Sequence, residues 1–218
     1  MPPEPLILAF DTSAAHCAAA LLSGDRIVAE AFEPMTKGQA ERLMPMLEEL
    51  LAAAGAGWRD LTAIAVGTGP GNFTGVRLSV AAARGLALAL AIPAHGVTMF
   101  EALAHRQPPP CLVALDARQG RLYLQVFRPD PTPARLVTGP ADLADAPDLA
   151  GLAVIGDAGA AVAAMTGGPV LAPALPLAEA MARIVAARGP GPAPRPAPLY
   201  LRAADAAPSR DRPPAILP

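Results

Sequence analysis

The segment Gly67-Thr68-Gly69-Pro70-Gly71-Asn72-Phe73-Thr74-Gly75-Val76-Arg77 constrains this chain more than any other stretch. An apolar run, Leu61 to Val66, leads into it, and an alanine- and leucine-rich run, Leu78 to Ala91, leaves it. That order reads as strand, glycine-rich turn and helix. Four glycines and a proline demand an unusual backbone path, because glycine alone reaches positive φ without steric cost. Thr74 is the expected helix N-cap. Such a turn either offers backbone N–H groups, around Gly71 and Asn72, and a positive helix end to an anion, or forms a tight structural corner. The Gly-Lys-Ser/Thr ending of a phosphate-cradling loop is missing, as is the spacing of a dinucleotide fingerprint.

Short apolar runs place strands at Leu6 to Phe10, Cys17 to Leu22 and Ile27 to Phe32, with turns at Ala14-Ala15 and Ser23-Gly24-Asp25. A helix is expected from Gln39 to Ala54, because Leu43, Met46, Leu47, Leu50, Leu51 and Ala54 recur at helical spacing. Pro45 inside it should bend it near residue 41. Leu61 to Val66 reads as a buried strand, Thr74 to Ala91 as a second long helix, Ala94 to Val97 as a strand and Thr98 to Ala104 as a helix start. Pro108-Pro109-Pro110 marks a boundary, after which Cys111 to Leu115 and Leu122 to Phe127 form a new hairpin. The proline-rich stretch Pro129 to Pro147 reads as loop, Leu152 to Ile155 as strand and Ala158 to Met165 as helix. Leu177 to Ala187 is a helix with Met181, Ile184 and Val185 inward, and the residues from Gly189 onward form an extended tail. The expected units are a first lobe over 1–107, a second over 108–206 and a mobile tail over 207–218.

Composition excludes several classes. A chain of 218 residues with 53% apolar content can bury a proper core. A net charge of −2 gives no footprint for wrapping a phosphate backbone. Cys17 and Cys111 lie far apart and offer no metal spacing, so they read as free thiols in a reducing cytosol. Met1 to Pro5 has no basic region, and Leu78 to Ile92 carries Arg84 and stops at Pro93. The expectation is a cytoplasmic protein with no membrane span.

As a string, GTGPGNFTGVRLSVAAARGLAL resembles the signature of the bacterial TsaB (YeaZ) family, part of the machinery that makes threonylcarbamoyladenosine in transfer RNA. Ile7 to Ser13 with Cys17 to Leu21, Gln39 to Leu47, and Leu115 to Tyr123 are similar to that family's opening hairpin, first helix and second-lobe start. Pro198 to Arg202 is a weaker match, and the likeness thins beyond about residue 127. The resemblance implies an α/β actin-like ATPase (ribonuclease H-like) fold: two related lobes, each a mixed sheet with flanking helices. The first hairpin, which ends on Asp11, would then recur as the second, which ends on Asp116. It also implies a non-catalytic subunit that binds and activates the catalytic TsaD, with a TsaE-like ATPase joining the pair and tRNA met only through the complex. A homodimer in the partner's absence, and an independent nucleotide-using enzyme with Asp11 and Asp116 at a metal, are the alternatives.

In that fold Asp11, Thr12 and Ser13 stand where one phosphate loop would be, and Asp116, Arg118 and Gly120 where the other would be. Carboxylates there would hold a magnesium nucleotide through water. Equally, aspartate, threonine and serine after a strand cap their own turns. No lysine follows either hairpin, and no later glycine pair is clearly placed to hold an adenine, Gly167-Gly168 being a weak candidate. No cofactor of its own and no metal are therefore expected. TsaD carries a paired-histidine metal motif; this chain has no His-x-x-x-His, and Gln39 replaces a histidine that many TsaB chains carry. His16 reads as a turn residue, and Ser13, Ser23, Ser79 and Ser209 include no Gly-x-Ser-x-Gly elbow. The helix from Thr74 is apolar around most of its circumference, which requires cover on two sides. The expected partner interface is Leu43, Met46, Leu47 and Leu50 on the first helix and Arg77, Val80, Ala82, Ala83 and Arg84 on the second.

Overall fold

The computed structural model describes residues 4–137, 143, 147–189, 191 and 193–201. The expected mobile tail over 207–218, and Arg202, lie outside the described residues. Strands β1 (Leu6–Asp11), β2 (His16–Ser23) and β3 (Arg26–Pro34) form an antiparallel meander. Helix α1 (Gln39–Ala53) follows, then β4 (Ala63–Gly67), helix α2 (Phe73–Leu90), β5 (Ala94–Val97) and the short helix α3 (Met99–Ala104). β4 pairs parallel to β1 and β5 parallel to β4, giving the order β3-β2-β1-β4-β5.

The second sheet repeats this plan. β6 (Cys111–Asp116), β7 (Leu122–Phe127) and β8 (Arg135–Val137) form the meander, and β9 (Ala153–Ile155) and β10 (Val170–Leu171) add in parallel. Its order, β10-β9-β6-β7-β8, is the first order read in the other direction. Helix α4 (Gly159–Thr166) joins β9 to β10 as α2 joins β4 to β5, and helix α5 (Leu177–Arg188) closes the second unit as α3 closes the first.

β1 shows how one strand serves two cores. Successive side chains point to opposite faces of a sheet. Leu8 and Phe10 therefore pack with Leu43, Leu47, Val76 and Val80 of α1 and α2, while Ile7 and Ala9 pack with Met181 and Val185 of α5. All of these residues are buried. α3 instead sends Phe100 onto Val113 and Leu115 of the second sheet, where Leu199 and Leu201 of the tail join it. The two units thus exchange their closing helices.

Several expectations need correction. The boundary of the second lobe does not hold for 177–188, because α5 packs on β1 and β2 of the first sheet. The stretch expected as loop from Pro129 contains β8, whose three residues complete the second meander. α2 starts at Phe73, and Asn72, not Thr74, is its N-cap: the Asn72 Oδ1 accepts from the Thr74 and Gly75 N–H groups at 3.0 and 3.4 Å. α2 is also long and apolar enough, by length and composition, to cross a membrane, with 28% of it buried. Here it packs on β4 and β1.

Candidate functional site

The C-terminal end of β1 is closed by the chain itself. Asp11, Thr12 and Ser13 are buried, Asp11 to 1% exposure. The Asp11 Oδ1 accepts from the Ser13 backbone N–H, the Ser13 hydroxyl and His16 Nε2, each at 2.9 Å. The Thr12 hydroxyl donates to the Gly75 carbonyl at 2.7 Å, and the Asn72 N–H donates to the Ser13 carbonyl at 2.6 Å. His16, expected in the turn, opens β2 and leans on the Phe32 ring 5.2 Å away.

The glycine segment makes that closure sterically feasible. A Cβ on Gly67 would lie 1.8 Å from Asp11 Oδ2, one on Gly71 2.2 Å from the Ser13 carbonyl oxygen, and one on Gly75 1.9 Å from that of Thr12. Any side chain would push the two segments apart. Four N–H groups at the start of α2 are also engaged: Thr74 and Gly75 on Asn72 Oδ1, Val76 on the Asn72 carbonyl, and Asn72 itself on Ser13. Of the two readings left open for this turn, the tight corner is the one its contacts describe. Asp11 is walled in by Gly67, and the Asn72, Thr74, Gly75 and Val76 amides are engaged within the chain, so this hairpin fits a magnesium nucleotide poorly.

The second hairpin is more open. Asp116 is exposed, and its Oδ1 accepts from the Arg118 N–H at 2.7 Å, while its own N–H donates to Asp157 Oδ1 at 2.9 Å. Arg118 and Gln119 take φ of 62° and 55°, and Gly120 a φ of 71°, so the turn runs through three left-handed residues. Asp116 thus caps its own turn. Gly167 ends α4, and a Cβ on Gly168 would lie 1.7 Å from the Leu152 carbonyl oxygen, so that pair serves packing as well. Among the described residues, no group of three or more His, Cys, Asp or Glu could hold a metal ion.

The residues expected at a partner interface divide. Leu43, Met46, Leu47, Leu50, Val80 and Ala83 are core residues of this chain, buried between α1, α2 and the first sheet. They are corrected to structural positions: the apolar stripe of α1 faces its own sheet, and the apolar residues of α2 are spread too widely to mark which side does. Arg77 and Arg84 bind the returning tail. Arg77 Nε donates to the Tyr200 hydroxyl at 2.8 Å with its guanidinium 3.5 Å from the Phe73 ring centroid, and Arg84 Nε donates to the Pro196 carbonyl at 2.7 Å. Ala82 is half-buried. The outward face of α2 consists instead of Ala81, Gly85, Leu88 and Ala89, with Leu88 86% exposed, and Met44 is exposed on α1. Helical spacing alone, counted outward from the buried set Val76, Val80 and Ala83, would have found them.

Gln39 opens α1 and donates from Nε2 to the Met35 carbonyl at 3.2 Å. Arg42 ties α1 to β3 by pairing with Glu33 and Glu49, which holds both carboxyls below their ordinary range. Burial raises the Cys17 thiol, with Glu33 adding to it, and burial raises the Cys111 thiol.

Two lobes of one strand order, with exchanged closing helices, define a protein of the actin-like ATPase fold, here with its first phosphate corner packed shut. Component A of the (R)-2-hydroxyglutaryl-CoA dehydratase of Acidaminococcus fermentans shares that fold at a TM-score of 0.51 and 11% identity, over 82% of this chain and 96% of that one. The family model described as "TsaD: tRNA N6-adenosine threonylcarbamoyltransferase" matches residues 33–141. The tRNA threonylcarbamoyladenosine biosynthesis protein TsaB of Escherichia coli K12 is 36% identical over 129 residues, 57% of this chain and 55% of that protein. The chain spans about half the length of the curated relatives it matches. A crystal structure from Pseudomonas aeruginosa, of a protein described as similar to peptidase YeaZ, superposes at a TM-score of 0.72 with 31% identity. That match covers 91% of this chain and 100% of the other. The chain belongs to the TsaB (YeaZ) family.

Proposed function

We propose that this chain is a non-catalytic subunit of the cytoplasmic assembly that adds a threonylcarbamoyl group to adenosine 37 of tRNAs reading codons that begin with adenine. In this reading it binds and activates a TsaD-like catalytic subunit, a TsaE-like ATPase joins the pair, and tRNA is met only through the complex. The observation that carries the reading is the outer face of α2, where Ala81, Gly85, Leu88 and Ala89 are exposed. Large apolar surfaces left open on a monomer mark contact sites. Small residues along such a stripe let a partner helix approach closely. A second copy of the chain would cover the same face when the catalytic subunit is absent. The absence of a catalytic role rests on the closed first hairpin, where Asp11 Oδ1, the Thr12 and Ser13 hydroxyls and the Ser13 carbonyl are engaged within the chain.

Reconstitution tests this. A TsaD-like subunit assayed on tRNA should require the chain for full turnover, and Asp116→Ala, at an exposed position, should support the same rate as the wild-type chain. The purified chain alone should show no transferase, ATPase or peptidase turnover. Loss of turnover in Asp116→Ala with the complex still assembled would place a catalytic group on this chain and end the reading.

A further inference from the structure

A pocket of about 450 Å³ lies between β5, the end of α5 and the returning tail, and nothing described above uses it. Thr68, His95, Gly96, Arg188, Arg195 and Pro196 contribute to its lining. His95 shares its face of β5 with Val97, which packs toward α5. It is only 5% exposed, and its Nε2 has no hydrogen-bond partner among the described residues. An unpaired buried polar atom is costly, and buried polar groups in native proteins nearly always have a partner.

The walls show what kind of partner fits. Arg188, in the last turn of α5, donates from Nη1 to the Gly96 carbonyl at 2.8 Å and pairs through Nη2 with Glu101. The other Glu101 oxygen accepts from the Thr98 N–H and hydroxyl, so that carboxylate is fully engaged and offsets much of the Arg188 charge. Arg195 is exposed and has no hydrogen bond or ion pair among the described residues, so its charge is uncompensated. The backbone permits the enclosure at Gly96, where a Cβ would lie 2.8 Å from Thr68 Cγ2 and 3.6 Å from Pro196 Cβ. Burial and the Arg188 cation hold His95 below its usual pKa, so the imidazole entering the pocket is neutral and can bond an oxygen or a hydroxyl.

We propose that this pocket binds a small oxyanion, a phosphate or a carboxylate, with Arg195 and Arg188 facing its charge and His95 Nε2 hydrogen-bonded to one of its oxygens. The site is separate from the α2 face and independent of any partner. Its ligand completes the hydrogen bond that the described residues leave open at His95 Nε2.

The test uses the full chain and two probes, inorganic phosphate and acetate, titrated separately at constant ionic strength against a chloride control. The readout is the NMR signal of the His95 ring, assigned with His95→Gln. At least one probe should shift that signal saturably at low-millimolar concentration. Arg195→Ala should weaken the response about tenfold, the loss of one charge-assisted contact, and leave the melting temperature without ligand unchanged. A response to phosphate alone identifies a phosphoryl ligand, and one to acetate alone a carboxylate; either supports the site. A flat titration with both probes, or an affinity unaltered in Arg195→Ala, overturns it and leaves a pocket that holds only water.

Discussion

A Cβ placed on Gly75 would lie 1.9 Å from the Thr12 carbonyl oxygen, whereas one placed on Gly85 would meet nothing within 4 Å. Both glycines belong to α2, so one helix carries a matched pair of opposite expectations. Gly75→Ala should destabilise the chain by about 1–3 kcal/mol, the usual cost of forcing extra volume into a packed site. Gly85→Ala should stabilise it by about 1 kcal/mol, because glycine in an open helix position loses that much relative to alanine. Denaturant unfolding of the two variants checks this, and shifts of the same sign would contradict it. The sequence marked both residues as glycine and separated neither, since close approach is a property of two segments 63 residues apart, as the Thr12–Gly75 bond shows. The histidines give a second test at this scale. Burial first, then the Arg188 cation, lowers His95 from 6.5; burial, Arg106 and Arg183 lower His105 from the same value. Below pH 6.5 the unfolded chain takes up protons that the native chain still refuses. Stability contributed by the neutral rings is therefore complete above that pH and is lost as the pH falls through it toward the lower native values. Melting temperatures should decline over that window, and His95→Gln with His105→Gln should flatten the slope. An unchanged slope would contradict the assignment.

At the scale of elements, α2 has the most to explain. Its N-terminal amides are held by Asn72, so Asn72→Ala should cost about 1 kcal/mol while Thr74→Ala, at the cap position expected from the sequence, should cost little. Comparing the two unfolding midpoints decides which residue caps the helix. The strand–turn–helix order around this element was legible because the apolar runs and the glycine cluster are both strong local signals. Its rotational phase was not. With Val76, Leu78, Val80, Ala82, Leu86 and Leu88 spread around the axis, Thr74, Arg77 and Arg84 alone mark the solvent side, so Val80 and Ala83 were expected outward and lie in the core. β8 and β10 escaped for a different reason: three and two residues are too few for alternation to register, and both pair only because β7 and β9 already stand beside them. The pairing of Asp11 with Ser13 and His16 was half legible, since residues of this kind cap turns, but its contact with the glycine segment depends on tertiary packing.

For the whole molecule, the residues alone said only α/β; the family resemblance implied two related lobes with hairpins ending on Asp11 and Asp116, and the strand order shared by the two sheets bears that out. The exchange of closing helices was hidden. The spacing of Met181, Ile184 and Val185 says which side of α5 turns inward, but periodicity carries no information about which sheet receives it. The exchange binds the lobes together through α3, α5 and the tail residues Leu199 and Leu201. The outer face of α2 is the surface proposed for the partner. The most direct test is the affinity of the full chain for a TsaD-like catalytic subunit, measured by calorimetry for the wild-type chain and for Gly85→Glu. A Cβ at position 85 meets nothing within 4 Å among the described residues, so circular dichroism should be preserved and the melting temperature should not fall. Burying an unpaired charge in a helical contact costs several kcal/mol, so affinity should fall about 100-fold or more. Wild-type affinity in Gly85→Glu, and again in Leu88→Glu with both variants folded, would contradict the central claim.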